Sequence, residues 1–347
     1  MFDIRTAARV LGCSLAASLA LTTAAPAQGQ SAEEFFKSAQ LTMYVGSGAG
    51  GGYDTLGRLV ARHMSRFLPG QPAFVVKNIP AASGVQSANF VFNSAPKDGS
   101  AILAATNASL ILPLYGSPVA QYDPRKFEWI GSVFKQQAIC VSWHNVPVKT
   151  LEDATRREIT MGATGVSGGP GVFPRILNTM VGTKFKLITG YTTGDMRLAL
   201  EKGEVDGICG LAWQTYKTVS RDWIENRKIN IFAQMGLEKH PDLPHVPQAF
   251  ELIKNPADRQ VLELLAVPQE FGRPFVAPPG VPADRMAIYR NAFQAMLRDE
   301  QFIADLARQG GTVEALDDKQ IQALLARAYA APKEIRDRAG EYAANMN

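Results

Sequence analysis

Two α/β lobes hinged on each other, each a mostly parallel sheet flanked by helices, is the fold this sequence predicts. Three observations carry it: a strand, glycine loop, helix, strand order that opens at Leu41, the restart of that order after Trp129, and the lack of a Gly/Ser linker between the two series. The chain of 347 residues has room for two domains of ordinary size, and a hydrophobic content of 46% is that of a globular protein.

The chain opens on a segment outside this fold. Arg5 and Arg9 flank the apolar run Val10 to Leu21, and Ala25, Pro26 and Ala27 supply the small-x-small pattern of a signal-peptidase site. The expectation is a signal peptide over residues 1–27, cleaved after Ala27, and a periplasmic protein. The run is shorter than the roughly 20 apolar residues of a permanent span. Val10-Leu11-Gly12-Cys13 loosely fits a lipobox, but hardly any apolar sequence precedes it. Loss of Arg5, Arg9 and Asp3 lowers the formal net charge of +4 by one, and the remaining charges of both signs are scattered. No basic stripe points to nucleic acid. Cys140 and Cys209 remain, in the apolar runs AICVSW and GICG; in an oxidising compartment they can pair, and two buried thiols fit as well.

The elements follow in order. SAEEFFKSAQ reads as a helical leader and LTMYV as a buried strand. After the loop come Leu56, Leu59, Val60, His63, Met64 and Phe67 at helical spacing, ended by Pro69 and Gly70. AFVVKNI is a second strand, PAASG a loop, VQSANFVFNSA a helix, and Lys97-Asp98-Gly99 a turn into the strand SAILAATNA. In the second series AICVSW, EITMGAT, KFKLITG and VDGICG read as strands, with helices at Thr150 to Arg157, Val172 to Val181 and Gly194 to Lys202. INIFAQMG reads as the strand that returns to the first lobe, and the tail beyond Pro282 as helical. The lobes are then 28–129 with 236–347, and 130–235. Trp213 and Tyr216 are expected to pack the second lobe.

The stretch GSGAGGGYD, residues 46–54, poses the functional question. Gly46-Ser47-Gly48-Ala49-Gly50-Gly51 is a literal G-x-G-x-x-G between strand and helix. A dinucleotide site needs an acid at the end of the second strand, about 20 residues on. Lys77 and Asn78 stand there, and export removes the chain from soluble NAD and ATP. No Gly-Lys-Ser/Thr follows for a Walker loop, so no cofactor is expected. Gly165-Val166-Ser167-Gly168-Gly169 fits the G-x-S-x-G of serine hydrolases, and Asp206 or Asp242 with His245 follows in the usual order. An exported hydrolase using Ser167 is therefore the alternative reading. Against it, glycines 168, 169 and 171 with Pro170 and Pro174 make a poor helix start directly after the serine. His240 and His245, separated by PDLP, read as surface or turn residues; His63 reads as a boundary or core residue, and His144 is left undecided. No metal site is expected.

What remains is anion binding by backbone. Glycines let N–H groups approach a ligand, and the following helix start is partially positive. One such loop fits a tight βα turn equally well. Residues 81–84 (AASG), 106–109 (TNAS) and 162–171 (GATGVSGGPG) repeat the character after other strands, at the ends where parallel sheets form a crevice.

Gly50-Gly51-Gly52-Tyr53-Asp54 with its helix, Asn78-Ile79-Pro80-Ala81-Ala82-Ser83-Gly84, and Ala95-Pro96-Lys97-Asp98-Gly99 resemble the exported solute receptors of tripartite tricarboxylate transporters, the Bug family. So do Gly190-Tyr191-Thr192-Thr193-Gly194, the Gly203-Glu204-Val205-Asp206 helix end, and Phe275 to Pro282. The resemblance spans nearly the whole mature chain. It implies a type II periplasmic binding protein, or Venus flytrap, that closes on a small organic anion and delivers it to membrane permease subunits; a monomer is the default for this architecture. It also leaves open a ligand sensor for a signalling partner. By position it implies a first clamp of Gly51, Gly52, Tyr53 and Asp54, with Asp54 capping the helix. Ser83 and Gly84 form a second loop, and Asn107 and Ser109 a third. Thr164, Val166, Ser167 and Gly168 close from the other lobe, with Tyr191 and Thr192 beside them. Two prolines usually precede the glycines, where Gly48 and Ala49 stand, and Tyr53 replaces a smaller hydroxyl residue.

Overall fold

The structure, a computed structural model, describes residues 30–165 and 168–344; the expected signal peptide over 1–27, Val166 and Ser167 lie outside them. Helix α1 (Ala32–Ser38) buries Phe35 and Phe36, and strand β1 (Leu41–Val45) alternates, with Leu41, Met43 and Val45 inward. They pack on α2 (Gly52–Ser65), whose Leu56, Leu59, Val60 and Met64 form one buried face. Tyr44, on the opposite face of the strand, meets Phe90 edge-on at 5.1 Å. Helices therefore cover both faces of the sheet, as a parallel sheet requires.

Strand β2 (Phe74–Asn78) leads to α3 (Val85–Asn93) and β3 (Ala101–Ala104), and both strands pair in parallel with β1. The strand expected over SAILAATNA stops at Ala104, because Asn107 already belongs to helix α4 (Asn107–Ile111) with Thr106 as its N-cap. Strand β4 (Glu128–Ser132) closes this series.

The second series is β5 (Ala138–Trp143), α5 (Leu151–Arg156), β6 (Glu158–Gly162), α6 (Gly169–Met180), β7 (Lys184–Ile188), α7 (Thr193–Lys202) and β8 (Gly207–Ala212). Then come α8 (Trp213–Val219), α9 (Arg221–Glu225) and β9 (Ile229–Gln234). The five strands lie in the order β7-β6-β8-β5-β9. Strand β9 thus pairs with β5 inside the second sheet rather than returning to the first. The return is made by α10 (Pro256–Phe271) and β10 (Pro274–Ala277), followed by α11 (Ala283–Leu297), α12 (Glu300–Arg308), β11 (Leu316–Asp317), α13 (Asp318–Tyr329) and α14 (Lys333–Ala344). The first sheet is ordered β11-β4-β10-β3-β1-β2.

Both sheets are mixed. Strands β1, β2, β3 and β6, β7, β8 are parallel, whereas β10 and β5 run antiparallel to their neighbours because they enter from the opposite sheet. Cys140 on β5 and Cys209 on β8 are register partners and form a disulfide.

Helix α6 starts at Gly169, just past the serine, with Pro170 in its first turn, where the missing N–H has no partner to lose. The glycines expected to oppose a helix instead let it approach β8. A Cβ on Gly210, at φ +112°, would collide with the Gly169 backbone. Between the sheets, Gln136 N–H donates to Gln269 O at 2.8 Å, and Gln137 Nε2 donates to Gln234 Oε1 at 3.1 Å.

Candidate functional site

The glycine loop leaves β1 and ends in the first turn of α2, with Gly51 as N-cap. A local network holds it. Asp54, only 3% exposed, accepts from Gly50 N–H at 2.9 Å, Asn78 Nδ2 at 2.8 Å and Arg58 Nε at 3.0 Å. Burial works to raise the Asp54 pKa, and the hydrogen bonds from Arg58, Gly50 and Asn78 outweigh it, so the carboxyl sits below its ordinary range. Asp54 is therefore not a side-chain N-cap: it lies in the first turn and reaches back to the loop. Asn78 Nδ2 also donates to Ser47 O at 2.8 Å, so the residue found where a ribose-binding acid would stand serves to anchor the loop.

Tyr53 turns inward. Its hydroxyl donates to Asn107 Oδ1 at 2.9 Å and lies 3.4 Å from Gln136 Oε1, while Asn107 N–H donates back to it at 3.2 Å. Asn107 Nδ2 donates to Gln136 Oε1 and to Pro268 O, both at 2.8 Å, and Ala108 N–H donates to Asn107 Oδ1 at 2.7 Å. The Asn107 side chain is fully engaged; it ties the first loop to the crossing between the sheets. Ser109 is buried and donates to Thr106 O at 2.8 Å. Gly84, at φ +92°, packs against Thr106 and Gly46: a Cβ there would stand 2.5 Å from Thr106 Oγ1 and 2.9 Å from Gly46 O. Ser83 lies in the same short helical turn, Ala81–Gly84.

Beneath Tyr53 lies Arg273, which the sequence reading missed. Its guanidinium sits 5.0 Å from the Tyr53 ring centroid and 5.4 Å from that of Phe134, donates to Gly52 O, and lies 3.5 Å from Thr215 Oγ1 on α8. Burial draws its pKa down, with Tyr53 acting the other way. The available signal was a lone charge in the apolar run FGRPFVAPPG. Gln136 had no comparable signal.

From the second sheet, Thr164 and Gly168 flank the loop into α6, and Gly168 is that helix's N-cap. Tyr191 is half-buried, and its N–H donates to Ala163 O at 3.3 Å; Thr192 caps α7 by accepting from Asp195 N–H at 3.2 Å. The structure thus brings Gly52, Tyr53 and Asn107 together, and places Thr164, Gly168, Tyr191 and Thr192 at the ends of β6 and β7. Trp213 and Tyr216 are buried in the second core, as expected.

The hydrolase partners are committed elsewhere. Asp206 accepts from Thr160 N–H at 2.7 Å, and Asp242 accepts from Trp213 Nε1 at 2.9 Å and Lys217 Nζ at 2.8 Å. His245 is exposed. His240 is buried rather than on the surface, since its N–H donates to Gln234 Oε1 at 2.8 Å. His63 is buried against Phe302 and lies 2.8 Å from Asp305 Oδ2. Among the described residues no three His, Cys, Asp or Glu side chains converge to hold a metal. A cavity of about 690 Å³ lies away from these loops, walled by Leu237, Phe250, Leu264, Val267 and Ile335. None of the expected site residues lines it.

Residues 56–340 match the model of the tripartite tricarboxylate transporter family receptor. A protein of Agrobacterium vitis, described as a UPF0065 protein in the TAR-I ttuE-ttuC' intergenic region, is 26% identical over 310 residues, 87% of this chain and 84% of its own length. Among solved structures, MatC (Rpa3494) from Rhodopseudomonas palustris with bound malate superposes with a TM-score of 0.64 at 20% identity, covering 88% of this chain and 99% of its own. Rpa4515 from the same organism with adipate reaches 0.66 at 19% identity, covering 87% and 98%. These structural likenesses show the two-lobed binding-protein fold. With the family match across most of the described chain, they place it: the chain belongs to the tripartite tricarboxylate transporter receptor family, whose members are solute-binding receptors.

Proposed function

We propose that the protein binds a small organic carboxylate between its two sheets and hands it to the membrane subunits of a tripartite transporter, without catalysing a reaction on it. The observation that carries this is open space beside the glycine backbone at the carboxyl ends of β1, β6 and β7: a Cβ built on Gly48, Gly165 or Gly190 meets nothing within 4 Å. Backbone that a ligand can approach so closely, together with the partially positive first turn of α2, suits an acid group. The dicarboxylates malate and adipate, held by the two relatives, support the class.

In this reading Gly51, Gly52, Ser83 and Gly84 form one wall, and Thr164, Val166, Ser167 and Gly168 the other, with Tyr191 and Thr192 at its edge. Tyr53, Asp54, Asn107 and Ser109 position the loops, since their polar atoms are engaged within the protein. One lobe is built on the sheet of β1 to β4 with β10 and β11, and the other on that of β5 to β9, so the expected boundary at 129/130 moves to the crossing after β4; the protein is a periplasmic monomer cleaved after Ala27. A ligand that touches both lobes binds their closed arrangement more tightly and so draws the lobes together. No described helix is long and apolar enough to cross a membrane.

Thermal unfolding across mono-, di- and tricarboxylates tests the proposal. A ligand at 100 times its Kd adds about 2.7 kcal/mol, a rise of roughly 4 °C in Tm for a chain of this size. Gly51→Trp is expected to abolish the rise. A panel with no stabilising acid, or an unchanged rise in G51W, would overturn it.

A further inference from the structure

We infer that Arg273 is the residue that selects an anionic over a neutral ligand, by setting one buried, unneutralised positive charge beside the first turn of α2. The inference rests on the carboxylate reading above. Arg273 is 7% exposed, and its Nε has no hydrogen-bond partner. Among the described residues no carboxylate pairs with it; the neighbouring Glu270 is bound to Lys135 at 2.9 Å instead. A buried cation without a counter-charge is costly, and its desolvation is not offset by the single carbonyl and the distant hydroxyl it reaches.

Its position deepens the imbalance. The guanidinium donates to Gly52 O, at the helix end where the macrodipole is already positive and a cation is disfavoured. The chain makes room for it there: a Cβ on Gly52 would lie 2.6 Å from Arg273 Nη2, so this glycine accommodates the guanidinium. The Tyr53 and Phe134 rings hold the group from two sides, and Thr215 adds a contact from the second sheet. Two positive features therefore converge at one loop end with no carboxylate partner among the described residues. A carboxylate held by the glycine-loop amides would supply that partner.

The test compares the mature protein with Arg273→Met, which keeps the length without the charge, and Arg273→Lys. The probes are malate, succinate and adipate against succinamide and adipamide, followed by thermal shift and titration calorimetry. The expected result is that R273M leaves the ligand-free Tm unchanged or raised, weakens diacid binding about 30- to 100-fold, and narrows the preference for acid over amide. R273K retains most of the affinity. Undiminished diacid binding by R273M would overturn the inference and leave the carboxylate reading standing. So would a lowered ligand-free Tm with the acid preference intact, or folding of R273K but not of R273M, since either makes the charge a brace of the fold. If the wild type binds none of the diacids, the carboxylate reading fails and this inference falls with it.

Discussion

Asp54→Ala removes the side chain on which the glycine loop rests. The carboxylate holds three donors, of unequal worth. Arg58 is half exposed, with a side-chain exposure of 50%, so solvent screens that ion pair and it contributes least. The bonds from Gly50 N–H and Asn78 Nδ2 are charge-assisted and sheltered, worth about 1.5–3 kcal/mol each. Asn78 keeps Ser47 O as a second acceptor, so only part of its share is lost. The total is about 3 kcal/mol, or roughly 4–5 °C in Tm. Asp54→Asn, which retains an acceptor but no charge, should lose about half as much. Urea unfolding of the ligand-free protein measures the stability term, and calorimetry with the best acid measures the loss of a preformed loop. The pH dependence has a definite sign. The folded pKa is depressed, so the contribution is fully present above the unfolded value of about 3.9 and is lost as pH falls through the lower folded value. The wild-type excess over D54A should therefore shrink in acid. A D54A protein within about 0.5 kcal/mol of wild type and equal in affinity would refute the reasoning.

Two further outcomes follow from packing and covalent structure. Gly84→Ala forces a side chain into the left-handed region and onto Thr106 and Gly46, for about 2–5 kcal/mol in total. Gly116→Ala, at φ +71° but with nothing within 4 Å, should cost only about 1–2 kcal/mol, and equal losses in chemical denaturation would sink the packing argument. The Cys140–Cys209 disulfide spans 69 residues of sequence, so its loss is worth up to about 4 kcal/mol. Thiol titration of the unreduced, denatured periplasmic protein should find no free cysteine, and two free thiols would contradict the bond.

Much of the architecture was legible because its signals are local. The alternation in LTMYV and the helical spacing of Leu56, Leu59, Val60 and Met64 each lie within a short window, and the structure places β1 and α2 there. So it does for the helices expected over Thr150 to Arg157 and Gly194 to Lys202, which form α5 and α7 behind the caps Thr150 and Thr192. The misreadings share a cause. INIFAQMG is a strand by composition, but whether it pairs with β5 or returns to the first sheet depends on a partner about 90 residues away in sequence. Proline and glycine after Ser167 signalled a poor helix, yet the close approach of Gly169 to Gly210 required those residues.

The sequence by itself determined the two strand–loop–helix series, the glycine loop between β1 and α2, and the likeness to a receptor family, because periodicity, turn chemistry and motif order are properties of neighbouring residues. Only the tertiary structure decided that Asn78 and Asp54 hold that loop, that Cys140 meets Cys209, and that Arg273 lies against Gly52, 221 positions earlier in the chain. Contacts over such distances depend on how sheets and crossings pack, and burial of the arginine becomes visible only once that packing has closed around it.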